Sequence, residues 1–469
     1  MYKRQEGNCV IEQSGHGTVT IGSVEKFITE NAWEKGWVKP IAVKNERKES
    51  VGIIGAGPAG LACAEELRKE GIQVTIYDRY DRSGGLLIYG IPNFKLEKHV
   101  VTRRTELLEQ SGIKFVHNFE VGKDASLKEL RKKHNAILIA TGVYKAREID
   151  LPGSDLANIF PAMEFLTASN KKGLGDKVQL FDDGTLNAKG KDVVVIGGGD
   201  TAMDCVRTAI RQDAKSVKCI YRRDKKNMPG SSREVQNAEE EGIEFVWLTT
   251  PSKFNGKNKV ESVEVNKIKL GEPDDSGRRR PEIIEGSNYN VKADLVIKSL
   301  GFDPEDLPKL FGEDNLNLTK WGTIKIDFDT METSVPGVFA AGDIVRGASL
   351  VVWAIKDGRD VSGQILKFIN SNKKLKEAET SRLIQQQKDR LDGFLTQTLS
   401  IEEKILETKD LKLLSELLAK VSRIKLKALQ ELTEEELRGD QTFAIFLEQC
   451  DSLIHQIQLQ RIARNTAST

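Results

Sequence analysis

Cysteine is scarce in this sequence, and the few thiols form no recognisable pattern. Only five of the 469 residues are cysteine, and long intervals separate them. This is not the spacing of a disulfide framework, so it favours the reducing cytoplasm over a secreted location. No two cysteines are separated by just two residues, which leaves the chain without the CxxC dithiol of thiol–disulfide redox enzymes.

Long apolar segments and an excess of charge of one sign are also absent. No stretch approaches the ~18 uninterrupted apolar residues of a membrane span, and no basic segment leads into an apolar one at the N-terminus. Lys and Arg number 71 against 70 Asp and Glu, a balance that gives no general attraction to nucleic acid or to anionic lipid. We therefore expect a cytoplasmic protein of about three domains, with neither nucleic acid nor membrane as a partner.

A glycine-rich turn follows the apolar run 51–54. Gly55 allows a tight turn, Gly57 lets the backbone approach a diphosphate, and Gly60 lets the following helix pack closely on the strand. Asp78 ends the next apolar run, close to the spacing of about 20 residues at which a carboxylate accepts hydrogen bonds from ribose hydroxyls. The alternative is an ordinary glycine turn.

A second turn of the same kind follows the apolar run 193–196. Gly197, Gly199 and Ala202 occupy the three positions of the motif, and the next strand ends at Arg222 and Arg223. Two guanidiniums at that position favour a 2′-phosphate, whereas a carboxylate repels it. The sequence thus predicts FAD in the first site and NADPH in the second. The alternative for the arginines is a solvated charge pair, and Arg233 is a weaker candidate for the phosphate.

Two further segments could complete the first site. Gly85 lies in a Gly-Gly-Leu turn that could rest against the diphosphate or the isoalloxazine, although a plain turn is the alternative. Asp343 follows a short apolar run and could accept hydrogen bonds from the ribityl chain, or could simply cap a helix. A helix expected from about Ser349 would direct its positive N-terminus at the flavin pyrimidine ring.

Longer stretches resemble a known family. Residues 84–98, 197–208, 221–231 and 342–347 resemble the small subunit of NADPH-dependent glutamate synthase, most closely the proteobacterial type, and the similarity extends over roughly residues 6–370. These stretches are far more specific than the bare glycine patterns.

The resemblance implies an α/β fold with two Rossmann-like, doubly wound, three-layer domains, the NADPH domain being inserted in the FAD domain. The expected domains are a remnant of an N-terminal iron–sulfur domain (1–48), an FAD-binding domain (49–150 and 303–372), an NADPH-binding domain (151–302) and an α-helical extension (373–469). It also implies hydride transfer from NADPH to FAD. Electrons would then pass through iron–sulfur clusters to a large partner subunit that makes L-glutamate.

Motifs and resemblance together define a set of candidate cofactor-binding residues. They are Gly55, Gly57, Pro58, Ala59, Gly60, Asp78, Gly85, Leu86, Val121, Thr141, Gly142, Gly198, Gly199, Asp200, Thr201, Arg222, Arg223, Arg233, Gly301, Gly342, Asp343, Ser349 and Leu350. No residue is assigned a catalytic role, because hydride transfer requires positioning of the reacting atoms rather than an acid or base.

The sequence departs from the family at both ends. Only residues 6–10 resemble the cysteine-rich segment that binds iron–sulfur clusters in the family, which suggests a truncated subunit. A [4Fe–4S] cluster usually needs four thiolates, so Cys9 would be a ligand only if further N-terminal cysteines were present. The Leu-, Lys- and Glu-rich tail resembles nothing known to us. It predicts about three helices, with capping boxes that begin at Ser400 and Thr433, and it is a docking element, an independent bundle or an unrelated fused sequence.

Two other functions stay open at this stage. One is a related NADPH-dependent electron-input module, of the type found in pyrimidine dehydrogenases or ferredoxin:NADP oxidoreductases. The other is a non-catalytic FAD-bearing scaffold that its tail holds to a partner.

Overall fold

The computed structural model describes residues 21–273, 279–431 and 441–466. Cys9 and the expected capping box at Thr433 lie outside these residues. The chain divides into two compact units, residues 1–369 and 370–469.

The first unit contains all the strands that the structure describes. In chain order they are β1 (Ser50–Ile54), β2 (Gln73–Tyr77), β3 (Lys114–Val116), β4 (Ala136–Ile139), β5 (Lys145–Ala146), β6 (Ile159–Pro161), β7 (Asp192–Ile196), β8 (Ser216–Tyr221), β9 (Glu244–Trp247), β10 (Thr249–Asn255), β11 (Ser262–Pro273), β12 (Arg279–Ile283), β13 (Tyr289–Lys292), β14 (Leu295–Lys298), β15 (Phe302–Asp303) and β16 (Val338–Ala340).

Helices separate most of these strands and form the tail. In chain order they are α1 (Ile21–Glu34), α2 (Pro58–Lys69), α3 (Leu86–Tyr89), α4 (Lys98–Gln110), α5 (Leu127–Lys133), α6 (Ala162–Gly173), α7 (Gln179–Asp182), α8 (Asp200–Arg211), α9 (Ser232–Glu240), α10 (Leu307–Phe311), α11 (Asp343–Arg346), α12 (Val351–Glu407), α13 (Leu411–Glu431) and α14 (Gln441–Thr466).

The first sheet has the strand order β16-β4-β1-β2-β3, and every pair in it is parallel. All four residues of β4 are buried, as expected for a central parallel strand that is covered on both faces. On one face Leu67 of α2 and Ile365 of α12 enter the core. On the other face Leu130 of α5 and Phe311 of α10 do so.

The second sheet has the order β6-β14-β7-β8-β9 and is also parallel throughout. Phe165 of α6 and Met203 of α8 pack on one face. The other face is covered by β10, β11 and β13, whose side chains Phe254 and Val263 are buried against Val194 and Ile220. The second sheet is thus the middle of three layers, with helices on one face and the strands β10, β11 and β13 on the other.

The chain passes between the two sheets through one pair of short strands. β5 carries it away from the first sheet and β15 carries it back, and the two strands pair antiparallel. The whole second sheet therefore lies within an insertion between β4 and β16 of the first. The predicted fold class is confirmed: two Rossmann-like domains, the second inserted in the first, and a helical C-terminal part.

The second unit is built from helices whose buried residues alternate in steps of three and four. The buried positions are Leu391, Phe394, Thr398, Ile401 and Ile405 on α12, Leu414, Leu417, Val421, Ile424 and Ala428 on α13, and Phe443, Phe446, Cys450, Leu453 and Ile457 on α14. This heptad spacing is that of helices packed side by side in a bundle.

One expectation about the limits of an element is wrong. Ser400 does not begin a helix but lies inside α12, which starts at Val351 and continues past residue 370 to Glu407. The reason is that the buried heptad runs through this position without a break.

Candidate functional site

The first cleft lies where the strands of the first sheet end. Its lining includes the predicted residues Gly55, Gly57, Pro58, Ala59, Asp78, Gly85, Leu86, Val121, Thr141, Gly142, Gly342, Asp343, Ser349 and Leu350. The empty volume, open mouth included, is about 1110 Å³. Segments separated by more than 200 residues in sequence therefore meet at one site.

The glycines of the first turn have different surroundings. Gly55 has φ +109°, and a Cβ there would lie 2.4 Å from the Ala140 carbonyl oxygen. A Cβ on Gly60 would lie 2.1 Å from the Gly55 carbonyl oxygen, so Gly60 permits close packing of α2 and does not line the cleft. Around Gly57 nothing lies within 4 Å of such a Cβ, which leaves the start of α2 open to a phosphate group.

Asp78 is held at the end of β2 by two backbone donors. Its carboxylate accepts hydrogen bonds from the Ala56 amide at 2.6 Å and from the Tyr80 amide at 2.8 Å. Burial raises the pKa of Asp78 above its usual value, although the two amides act in the opposite direction. The oriented carboxylate still has lone pairs that can accept ribose hydroxyls.

Gly85 brings a second loop onto the glycine turn. Its φ is +54°, and a Cβ at this position would lie 2.9 Å from the Gly57 Cα atom. A side chain is therefore excluded by close approach as well as by backbone conformation. Both residues line the first cleft.

Asp343 and Thr141 supply polar groups at the other end of the first cleft. The Ser349 hydroxyl donates to Asp343 Oδ1 at 2.6 Å, and burial raises the pKa of Asp343. Asp343 is the first residue of α11, whose N-cap is Gly342, and its bond to Ser349 ties it to the residues just before α12. The buried Thr141 Oγ1 has no hydrogen-bond partner among the residues that the structure describes, as expected of a group that faces a ligand.

The sequence analysis missed a group of side chains that crosses the first cleft. Arg79 donates to Glu305 at 2.8 Å, and its guanidinium lies 5.4 Å from the ring of Tyr80 and 5.2 Å from that of Tyr144. Burial raises the pKa of Tyr144. The position of Arg79 beside Asp78 was a usable signal, whereas Glu305 is 226 residues away and gave none.

The second cleft lies at the corresponding edge of the second sheet. Of the predicted residues its lining includes Gly198, Gly199, Thr201, Arg222, Arg223 and Gly301. Gly197 turns with φ +146°, where a Cβ would lie 2.1 Å from the Ser299 carbonyl oxygen. Nothing lies within 4 Å of a Cβ built on Gly199, so this turn is open in the same way as that of Gly57.

At the second cleft, two buried polar atoms have no hydrogen-bond partner in the described part of the chain. They are Nε of Arg223 and Oγ of Ser299, and both residues line the second cleft. Because an unpaired buried donor is costly, these atoms fit a ligand rich in oxygen acceptors, as NADPH is.

Asp200 and Arg233 are outside the lining of the second cleft. Asp200 Oδ1 accepts a hydrogen bond from the Ser231 amide at 2.9 Å, which ties the start of α8 to the segment that precedes α9. Arg233 lies on α9. The proposed phosphate contacts therefore concentrate on the strand-end pair Arg222 and Arg223.

Metal-binding groups are absent from the part of the chain that the structure describes. No cluster of three or more His, Cys, Asp or Glu side chains there could hold a metal ion. Cys63, Cys205, Cys219 and Cys450 are free and buried. Among the same residues, no helix combines the length and the apolar character that a bilayer crossing demands.

Comparison with known proteins places the chain in a family. A sequence model of the family described as "Pyridine nucleotide-disulphide oxidoreductase" matches residues 49–358, which span both sheets and both clefts. The chain belongs to this family of oxidoreductases.

Among its relatives are small chains of NADPH glutamate synthases. The chain is 64% identical to that of Azospirillum brasilense over 357 residues, which cover 76% of this chain and 74% of the relative. It is 44% identical to that of Escherichia coli over 369 residues, 78% of each chain. The predicted family resemblance and the predicted enzyme class are confirmed.

A solved structure supports the fold. FprA from Mycobacterium tuberculosis in complex with NADPH superimposes with a TM-score of 0.59 over 71% of this chain and 87% of FprA. The sequence identity is 20%, so this similarity bears on the fold alone.

Proposed function

We propose that this chain is the NADPH-oxidising small subunit of a glutamate synthase, with FAD in the first cleft and NADPH in the second. The observation that carries the proposal is the opposite charge at two otherwise similar sites, Asp78 in one and Arg222 with Arg223 in the other. The identity to glutamate synthase small chains supports the particular system.

The first cleft has the groups that FAD requires. Asp78 binds ribose hydroxyls, the open turn at Gly57 and the N-terminus of α2 receive the diphosphate, and Asp343 accepts from the ribityl chain. Ser349 and Leu350 bring the start of α12 to the lining, where a helix N-terminus favours negative charge. When bound, FAD supplies the chemistry of accepting a hydride and releasing electrons singly.

The second cleft has the groups that NADPH requires. Gly199 and Thr201 at the start of α8 receive the diphosphate, and Arg222 and Arg223 bind the 2′-phosphate with charge-assisted hydrogen bonds. The side chains of both clefts position the nucleotides and exclude water, and no proton has to be moved by an acid or base.

We assign the next electron acceptor to a large partner subunit. The described residues do not fit an iron–sulfur cluster, and Cys9 lies outside them, so we assign no transfer step to a cluster on this part of the chain. A cytoplasmic location fits the scattered cysteines.

The test uses the purified chain with NADPH and ferricyanide or a tetrazolium dye as acceptor. We expect a yellow protein that reduces the dye with NADPH and does so much more slowly with NADH, because NADH lacks the 2′-phosphate. A flavin-loaded preparation that fails to reduce the dye would refute the catalytic function. Equal rates with the two nucleotides would refute the assignment of the second cleft.

A further inference from the structure

We propose that Lys95 is a positioning residue for hydride transfer. Its side chain holds α8 and α9, which pack on the second sheet, in a fixed position relative to the first cleft. The inference rests on the proposed function, since it concerns the relative placement of two nucleotide sites. Lys95 lies in neither cleft lining.

The first unit has two halves: an inserted half, residues 147–301, and a first half that contains the first sheet. Lys95 belongs to the first half and is the cation of a charge cluster that joins the two. Its Nζ atom lies 2.6 Å from Asp204 Oδ1 on α8 and 2.5 Å from Glu234 Oε2 on α9. The side chains are largely buried, with exposed fractions of 21% for Lys95, 14% for Asp204 and 22% for Glu234. A single ammonium thus contacts carboxylates on two helices, α8 and α9, that pack on the second sheet.

The position of Asp204 makes this contact relevant to the nucleotide. α8 begins at Asp200, directly after the open turn at Gly199, and Asp204 is one helical turn further along. The helix that Lys95 holds is therefore the helix whose N-terminus receives the diphosphate. A shift of α8 would move the bound nucleotide with it.

The remaining contacts of α8 and α9 are of two kinds. Arg207 of α8 pairs with Glu234 at 2.8 Å and with Glu241 at 2.6 Å, all within the second half. Phe94, next to Lys95, lies under the guanidiniums of Arg207 at 5.0 Å and Arg211 at 4.3 Å. Phe94 adds packing across the junction, but Lys95 adds the charge.

The segment that carries Lys95 is itself well anchored. Asn170 of α6 donates to the carbonyls of Tyr89 at 2.9 Å and Ile91 at 3.2 Å, and the ammonium of Lys98 donates to that of Leu87 at 3.0 Å and to that of Ile91. These bonds fix the backbone that precedes Lys95 to α6 and to the side chain of Lys98. Because this segment is fixed by hydrogen bonds, the ammonium of Lys95 has a defined position from which it can hold α8 and α9.

The junction needs such a constraint because the covalent connection is slight. The chain passes between the sheets only through β5 and β15, two residues each. Hydride transfer requires reacting atoms about 3–3.5 Å apart, and a displacement of about 1 Å can cost on the order of 10²-fold in rate. A cation that locks α8 and α9 to the first half thus acts on rate while touching neither nucleotide.

The test is anaerobic stopped-flow reduction of the FAD-loaded chain by NADPH. Lys95→Met keeps the aliphatic stem and removes the charge. We expect the rate constant of flavin reduction to fall by about 10- to 100-fold, while the dissociation constant for NADPH changes less than about 2-fold and FAD content is unchanged. Lys95→Arg should restore most of the rate.

The matched control is Lys218→Met. Lys218 pairs with Glu244 between neighbouring strands of the second sheet, so its loss removes an ion pair without touching the junction, and the rate should be unchanged. If Lys95→Met does not fold, Glu234→Gln weakens the same contact and should lower the rate in the same direction.

The outcomes separate this inference from the proposed function. Failure of NADPH to reduce the wild-type flavin would refute the proposed function itself. A wild-type protein that is reduced, together with a Lys95→Met rate equal to or faster than wild type, would refute only the positioning role. A loss confined to NADPH affinity would also refute it.

Discussion

Single charged residues distinguish two sites that share the same backbone plan. Asp78 and the pair Arg222 and Arg223 follow equivalent strands of the two sheets, and both positions face a cleft. Because the glycine turns are alike, we expect the choice between a free ribose and a 2′-phosphate to depend on these side chains.

Replacing Arg222 and Arg223 together by Ala should raise the apparent Michaelis constant for NADPH by at least about 10-fold, since hydrogen bonds between charged groups contribute ~1.5–3 kcal/mol each. The constant for NADH should hardly change. Steady-state dye reduction with each nucleotide provides the measurement, with Lys226→Ala as the control. Equal losses for NADPH and NADH would contradict the role of the two arginines.

A residue remote from both clefts gives a pH-dependent prediction. Asp192, at the start of β7, contacts Lys292 at 2.7 Å and accepts from the Ser216 hydroxyl at 2.8 Å. Lys292 above all lowers the pKa of Asp192 from its ordinary 3.8 to about 2. A lowered pKa stabilises the folded state above the unfolded value, and that stability is lost as the pH falls through about 2.

Asp192→Asn should therefore lower the free energy of unfolding at pH 7 by about 1 kcal/mol. This is less than the full shift implies, because solvent screens Lys292, whose side chain is 65% exposed. The deficit should shrink below pH 4, because Asp192 of the unfolded chain becomes protonated there while the folded protein keeps it ionised down to about pH 2. Urea unfolding at pH 7, 5 and 3 measures the difference, and a deficit that does not depend on pH would contradict the argument.

Some site residues were predictable from the sequence because their signal is local. Asp78 and Gly85 lie within one motif length of the first glycine turn, and the structure places both at the first cleft. The Arg79–Glu305 pair spans 226 residues, so only the folded chain brings it together. Thr141 was among the predicted residues, but only the structure shows that its hydroxyl is buried and has no partner among the described residues.

The glycine turn acts as an element in which each position has its own physical constraint. Gly60 is required for close approach of α2 to the turn, whereas Gly57 faces open space. Replacing each glycine by Ala should therefore have a different effect at Gly57 and at Gly60.

Gly60→Ala should destabilise the FAD-free chain by about 1–3 kcal/mol, because the new Cβ overlaps the Gly55 carbonyl and α2 must move. Gly57→Ala should leave the FAD-free chain almost as stable as wild type but weaken FAD binding. Thermal unfolding of the FAD-free protein and fluorescence titration with FAD test the pair. Equal destabilisation by the two substitutions would contradict the assigned roles.

Helix limits were the least predictable elements. Ser400 with Glu403 has the sequence of a capping box, yet both lie inside α12. A capping pattern marks a helix start only where the preceding residues leave the helix, and Leu391, Phe394 and Thr398 are already buried on the same stripe. Propensity at four residues cannot outweigh a packed face that continues over several turns.

At the scale of the whole molecule, the chain combines a nucleotide-binding unit with a helical unit that has its own core. The two glycine motifs and the family resemblance predicted the paired sheets, because such motifs fix a strand, a turn and a helix in order. They carry no information about the tail. There the apolar spacing indicated helices but not their lengths, and the domain limits given above remain predictions.

Phe446→Ala should destabilise the second unit by about 3–5 kcal/mol, since Phe446 is fully buried and its ring centroid lies 6.1 Å from that of Phe394. Flavin reduction by NADPH should be unaffected. Circular dichroism during heating and the reduction rate measure the two properties. Ile445→Ala is the control, because Ile445 is 58% exposed on the same helix; a comparable loss in the control would contradict the proposed core.

The pairing of β5 with β15 places both ends of the inserted half one strand spacing apart, about 4.8 Å. Every strand of the first sheet lies outside residues 147–301. A tight hairpin could thus close the gap after their excision without removing a single ladder partner from that sheet. The inserted half can therefore be exchanged without changing the strand pairing of the first sheet. An inserted half with a carboxylate in place of Arg222 and Arg223 offers a route to an enzyme that uses NADH.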